Sequence, residues 1–125
     1  MLNLINPWYW LDGEPLEDAV SRCLGDATSL NTLLQKVLDY VSDVLAIVVL
    51  SHDGTVIDLQ AREEYPLEKL AHMAAAYGAL AAQVSPACGY GEFSTAWLKV
   101  DEVYLVVIPA PQILIAMIYR RDFKI

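Results

Sequence analysis

The sequence predicts an α+β domain, a five-stranded antiparallel sheet with helices packed on it. Three observations predict this. Five runs rich in β-branched, aliphatic and aromatic residues stand at 44–50, 55–60, 92–100, 103–108 and 113–119. The links within the first pair and among the last three are short, which makes those neighbours antiparallel hairpins. A stripe of Leu and Val at helical spacing precedes the first run, and a long Ala-rich segment separates the second run from the third. The order is helix, helix, β, β, helix, β, β, β.

The first helix is expected over about residues 14–24, with Asp12 as candidate N-cap, Pro15 near the first helical position and Glu14, Glu17 and Asp18 favouring the N-terminal end. Gly25 stops it. Trp8, Tyr9 and Trp10 precede it. In the second helix Leu30, Leu33, Leu34, Val37, Leu38 and Val41 fall on one stripe, with Asn31, Gln35, Asp39 and Ser42 opposite and Thr28 or Ser29 as the cap. Residues 1–28 are read as an N-terminal extension carrying the short helix, and 29–125 as the main domain.

"VLAIVVL" (44–50) is apolar throughout and reads as a strand buried on both faces. Asp53-Gly54 then predicts a tight hairpin, because such turns need positive φ values that Gly and Asp tolerate. The more polar "TVIDLQ" suits an edge. "EFSTAWLKV" alternates, with Phe93, Thr95, Trp97 and Lys99 on one side and Ser94, Ala96, Leu98 and Val100 on the other. "VYLVVI" and "ILIAMIY" are nearly all apolar, which suits central strands.

The 125 residues are 56% hydrophobic and 19% charged, with formal net charge −8. One domain follows, and global disorder does not. So much apolar sequence in so small a domain hints that another chain covers part of it. The first 64 residues carry eleven acids against three bases, and the remainder carry five of each. That acidic half argues against nucleic acid or an anionic membrane as partner. Arg120–Arg121 is too short to be a basic patch and reads as a solvated strand end. "YLVVIPAPQILIAMIY" is broken by Pro109, Pro111 and Gln112 and is too short to span a membrane. The N-terminal residues lack the basic start and apolar run of a secretion signal. Cys23 and Cys88 have no metal-like spacing, so the expectation is a reduced, cytoplasmic protein.

The Ala-rich helix, expected over about 66–84 and ended by Pro86 and Gly89, has more apolar surface than one sheet can cover. At about 100° per residue, Leu67, Ala71, Ala74, Gly78 and Ala81 form one stripe, flanked by Leu70 and Tyr77. That stripe is expected on the sheet. Met73, Leu80 and Val84 fall together further round. The second stripe is covered either by Trp8 and Trp10 folding back or by the same helix of a second copy, since most small oligomers are twofold.

The second helix, "VLAIVVLSHDGTVID", the Ala-rich "LEKLAHMAAAYGALAAQV" and three closing strands resemble the Roadblock (dynein light chain) domain, bacterial and archaeal type, over about residues 29–120. The resemblance implies a profilin-like α-β-β-α-β-β-β layout and a homodimer or heterodimer. The Ala-rich helices pair, and the strand after them joins its counterpart. Carried onto this chain, that places Met73, Ala76 and Leu80, with Phe93, Thr95 and Trp97, near the interface. It also implies a non-enzymatic role without cofactor, as a platform for small Ras-like GTPases or as a scaffold subunit. The chain departs from many relatives in adding about 28 residues before the domain and in ending after the last strand. The N-terminal helix is a candidate to replace the cover that a final helix gives.

Signals for chemistry are few. His52 precedes the Asp53-Gly54 turn and reads as an exposed polar residue. His72 follows Glu68 by four residues, which suits a local ion pair, and no third metal ligand is visible. Cys88 lies past a helix C-terminus, where no thiolate-stabilising group is evident. Gly89-Tyr90-Gly91 lacks the Lys and Ser/Thr of a phosphate loop, and Asp101-Glu102 reads as a turn. Trp8, Tyr9 and Trp10 form either an aromatic anchor for a partner or a cover for the chain's own core. Two functions therefore stand: a dimeric adaptor, and a small-ligand sensor with an apolar cavity between sheet and helix.

Overall fold

A computed structural model of the chain describes residues 14–62, 64, 66–87, 89, 95–100 and 103–120. Its elements are α1 (Leu16–Cys23), α2 (Ala27–Tyr40), β1 (Val44–Ser51), β2 (Val56–Ala61), α3 (Leu67–Ala87), β3 (Ala96–Val100), β4 (Val103–Pro109) and β5 (Ile113–Tyr119). The strands form one sheet in the order β2-β1-β5-β4-β3, every neighbour antiparallel. The architecture is the α+β class that the sequence predicts. β1, β5 and β4 are interior strands and β2 lies at an edge.

Helices cover both faces, which is why the interior strands are apolar at nearly every position. Successive side chains alternate between the faces. Ile47, Val49, Val106, Ile108, Ile113, Ile115, Met117 and Tyr119 join α1 and α2 in one core cluster. Val48, Leu50, Ala96, Leu105, Val107, Leu114 and Ala116 join Leu70, Ala71 and Ala74 of α3 in the other. α2 lies over β1 and β2, and α1 packs on α2. Leu16, Ala19 and Val20 of α1 are fully buried there. α3 carries the chain from the β2 edge across the sheet to β3.

Three local expectations are corrected. The cap of α2 is Asp26, whose carboxylate accepts from the Ser29 N–H at 3.2 Å and from the Ser29 hydroxyl at 2.9 Å. Gly25, at φ +93°, turns the chain out of α1, so the helix starts ahead of Thr28 and Ser29. The β1–β2 turn is centred one residue earlier than Asp53-Gly54. Gly54 N–H donates to the Ser51 carbonyl at 3.0 Å and Ser51 N–H to the Thr55 carbonyl at 2.9 Å, so His52 and Asp53 are the turn's centre and Gly54 follows at φ +95°. α3 runs past 84 to Ala87, because Pro86 in the last turn forfeits one backbone bond without ending the helix. Asp12, the candidate cap of α1, lies outside the described residues; Pro15 occupies the N-cap position without a side-chain cap bond.

Candidate interaction surface

α3 meets the sheet closely along its first stripe. A Cβ added at Gly78 would stand 3.1 Å from Leu114 Cδ1, so glycine here lets the helix backbone approach β5. The two flanks of α3 have different neighbours. On one, His72 and Ala75 pack on Gly54 of the hairpin. On the other, the Tyr77 hydroxyl donates to the Trp97 carbonyl of β3 at 2.8 Å.

The second stripe is uncovered. Met73, Leu80 and Val84 are 58%, 54% and 49% exposed, and Ala76 is exposed beside them. At about 100° per residue, Met73, Leu80 and Val84 lie within about 60° of Tyr77, on the flank that faces β3. β3 is itself an edge strand, a place where another strand can add. Leu98 extends the patch: it shares a face with Ala96, which is buried under α3, yet it is 38% exposed. An apolar helix flank and a strand edge thus face the same way.

The structure groups Met73, Ala76 and Leu80 and separates Trp97 from them. Trp97 is half-buried on the opposite face, edge-on to Tyr104 at 5.5 Å and to Tyr119 at 6.1 Å between ring centroids. Thr95 is half-buried just before β3. Phe93, Trp8, Tyr9 and Trp10 lie outside the described residues. Alternation puts Leu98 on the side away from Phe93, Thr95 and Trp97, and that side is the one α3 covers.

The groups considered for chemistry have structural partners or stand apart. His52 Nε2 is 3.2 Å from the Ala110 carbonyl and ties the β1–β2 loop to the β4–β5 loop. Among the described residues, no three His, Cys, Asp or Glu side chains are grouped to hold a metal ion. Cys23 is half-buried, and Cys88, Asp101, Glu102 and Arg121 lie outside the described residues. Arg120 is exposed, and its N–H donates to the Asp43 carbonyl at 2.8 Å. The Ser51 hydroxyl, then the Thr55 N–H, holds the Asp53 carboxyl below its ordinary range. Among the described residues, no helix is long and apolar enough to cross a membrane.

Sequence reasoning passed over Arg62. Its guanidinium donates to the carbonyls of Val44 at 2.8 Å, Val41 at 3.1 Å and Leu38. A cation there meets the negative end of the α2 dipole and joins it to the end of β2. No local pattern around Arg62 announces this, because its partners lie 18 to 24 residues away.

A sequence model of the Roadblock/LC7 domain matches residues 30–119. No curated protein sequence matches the chain. Among solved structures, the fold is similar to a Roadblock/LC7 domain from Streptomyces avermitilis (TM-score 0.68, 20% identity, 74% of this chain and 79% of that one). It is similar to MglB of Myxococcus xanthus (TM-score 0.67, 14% identity, 77% and 79%). It is also similar to MglB solved in a tetrameric arrangement (TM-score 0.63, 16% identity, 70% and 67%). The match spans α2 through β5, the sheet and α3 included. This chain belongs to the Roadblock/LC7 domain family.

Proposed function

We propose that the chain is a non-enzymatic, cytoplasmic adaptor that works as a homodimer and offers a small Ras-like GTPase, or a related assembly, a rigid platform of sheet and helix. The observation that carries the dimer is the uncovered stripe of Met73, Leu80 and Val84 beside the β3 edge. A twofold axis sets the same patch of each copy against the other. Burying the remaining surface of these side chains contributes roughly 1 kcal/mol each, about 6 kcal/mol for two copies. Association costs about 4–15 kcal/mol, so the stripe alone is not enough. Strand pairing along β3 and burial of Leu98 supply the rest. Tetrameric MglB, which shares the fold, supports assembly between copies. The GTPase half of the reading rests on the family.

The sensor reading needs space between sheet and helix, and the close approach of Gly78 to Leu114 leaves none at the middle of α3. Light scattering is expected to give a dimer for the unmodified chain and a folded monomer for Leu80→Asp, which would otherwise bury an unpaired charge. A monomeric unmodified chain defeats the dimer. Calorimetric titration with purified small Ras-like GTPases, loaded with GDP or a GTP analogue, tests the partner. Nucleotide-dependent binding supports it, and no binding in either state removes it while leaving the dimer standing.

A further inference from the structure

We infer that the β2 edge of the sheet is closed to strand addition by the Asp58 carboxylate and a β-bulge at Ile57, so that strand pairing between molecules is confined to the opposite edge. β2 and β3 are the two edge strands, and an edge offers a row of outward N–H and C=O groups to any extended chain. The register shows which groups of β2 form that row. The Arg62 N–H donates to the Leu45 carbonyl at 2.9 Å, and Gln60 and Asp58 stand opposite Ile47 and Val49. In an antiparallel pair the ladder bonds fall at every second residue. Arg62, Gln60 and Asp58 therefore turn their backbone groups to β1, and Leu59 and Ala61 turn theirs away.

The outward Leu59 N–H donates to Asp58 Oδ1 at 2.8 Å. A second strand would have to set its carbonyl oxygen where this carboxylate oxygen already lies. Displacing the carboxylate costs a charge-assisted bond. Asp58 is half-buried opposite Val49, so an added strand would also cover its charge further. The bulge is a second obstacle. Val49 pairs with Asp58 and Leu50 with Val56, which leaves Ile57 as the extra residue. The Ser51 N–H donates to the Thr55 carbonyl, so Thr55 faces β1 and Val56 faces outward. The outward row therefore runs Val56, Leu59, Ala61, whereas a straight strand presents its groups at every second residue. Both obstacles stand at one edge, beside the exposed apolar Ile57. Pairing through two different edges propagates as an open chain, and pairing through a single edge closes at two copies. That closure at two copies rests on the proposed dimer; the closing of β2 does not.

Analytical ultracentrifugation of the full chain over a range of concentrations tests this. The unmodified chain is expected to reach a constant mass. Asp58→Ala frees the Leu59 N–H, and its mass is expected to keep rising with concentration. Glu64→Ala removes the same charge just past β2 and is expected to behave as the unmodified chain. The rise is expected to persist in Asp58→Ala/Leu80→Asp, because it uses β2 and not the α3 stripe. A monomeric unmodified chain whose Asp58→Ala variant associates would therefore defeat the proposed dimer and support the closed edge. Amide hydrogen exchange reads the bond itself. At low concentration the Leu59 amide is expected to exchange about tenfold faster in Asp58→Ala, while Gln60 keeps its rate. If Asp58→Ala unfolds, Asp58→Thr, a residue that suits strands, takes its place. A constant mass in the Asp58 variant overturns the inference, as does an equal rise in Glu64→Ala or a rise that Leu80→Asp abolishes. So does a Leu59 amide that exchanges in the unmodified chain as fast as unstructured backbone.

Discussion

The Tyr77 hydroxyl donates to the Trp97 carbonyl at 2.8 Å, which joins the long helix α3 to the edge strand β3. The bond fixes which flank of the helix faces the sheet edge. Met73, Leu80 and Val84 share that flank, so the uncovered stripe and the edge are held as one surface. Tyr77→Phe keeps the ring and removes the bond. The expected loss is about 1 kcal/mol of stability, the usual net value of such a bond. Chemical denaturation measures it, and hydrogen exchange is expected to quicken in β3 before β1 or β5.

Leu98 and Trp97 are neighbours with opposite surroundings, and their variants should separate assembly from folding. Leu98→Glu changes a side chain that is already 38% exposed, so the fold is expected to hold while self-association weakens. Trp97→Ala removes a half-buried ring from the Tyr104–Tyr119 cluster. It is expected to cost about 2 kcal/mol, less than the ~3–5 of a fully buried aromatic. Light scattering beside thermal denaturation reads both. Association unaffected by Leu98→Glu would move the interface away from β3.

These two residues also mark where sequence reading succeeds and where it stops. A helix with two apolar stripes is visible from spacing alone, so Met73 and Leu80 stand out. The interior strands are visible because Val48 and Val49, or Leu114 and Ile115, fill opposite cores and leave no polar gap. In β3 the alternation separates Trp97 from Leu98 but does not say which one faces α3. That depends on pairings such as Leu98 with Leu105, between strands whose faces are assigned only by the folded sheet. The α2 cap went to Asp26 for a similar reason: Gly25 leaves α1 in a left-handed conformation, and where a helix restarts after such a turn depends on packing on both sides.

Arg62 closes the C-terminal end of α2 through the carbonyls of Leu38 and Val41, and reaches Val44 of β1 as well. Arg62→Met keeps much of the stem and removes the donors. The expected loss is about 2 kcal/mol, within the range for bonds to charged groups. Arg62→Lys is expected to recover only part, since one ammonium cannot reproduce a planar fork across three carbonyls. Urea denaturation of the three proteins gives the order. Equal stability of the methionine variant and the unmodified chain would show that α2 ends as firmly without the guanidinium.

Gly54 carries two demands at once. Its φ of +95° is that of left-handed backbone, and a Cβ placed there would lie 3.2 Å from His72 Cδ2. Gly54→Ala is expected to cost about 2 kcal/mol, most of it from the backbone conformation. In the background of His72→Ala the cost is expected to shrink by the steric part alone. A double-mutant cycle from thermal unfolding separates the two contributions. A cycle with no coupling would mean that the His72 ring swings aside freely.

Acid sensitivity follows from two surface carboxylates. Ser29, through its backbone N–H first and its hydroxyl second, holds the Asp26 carboxyl below its ordinary range. Ser51 and then Thr55 do the same for Asp53. In both cases the folded state binds its proton less readily than the unfolded chain. Their stabilisation is therefore complete above the ordinary Asp value of about 3.9, and is lost as pH falls through the lower folded values. Between pH 5 and 8 neither group changes stability. Below about pH 4 the midpoint of urea unfolding is expected to fall, and to fall less steeply in Asp26→Asn and Asp53→Asn. Asparagine keeps an oxygen that can accept the Ser29 and Thr55 N–H bonds, so both variants are expected to fold at neutral pH. A pH profile below 4 with the same slope in both variants as in the unmodified chain would assign the acid sensitivity to other carboxylates.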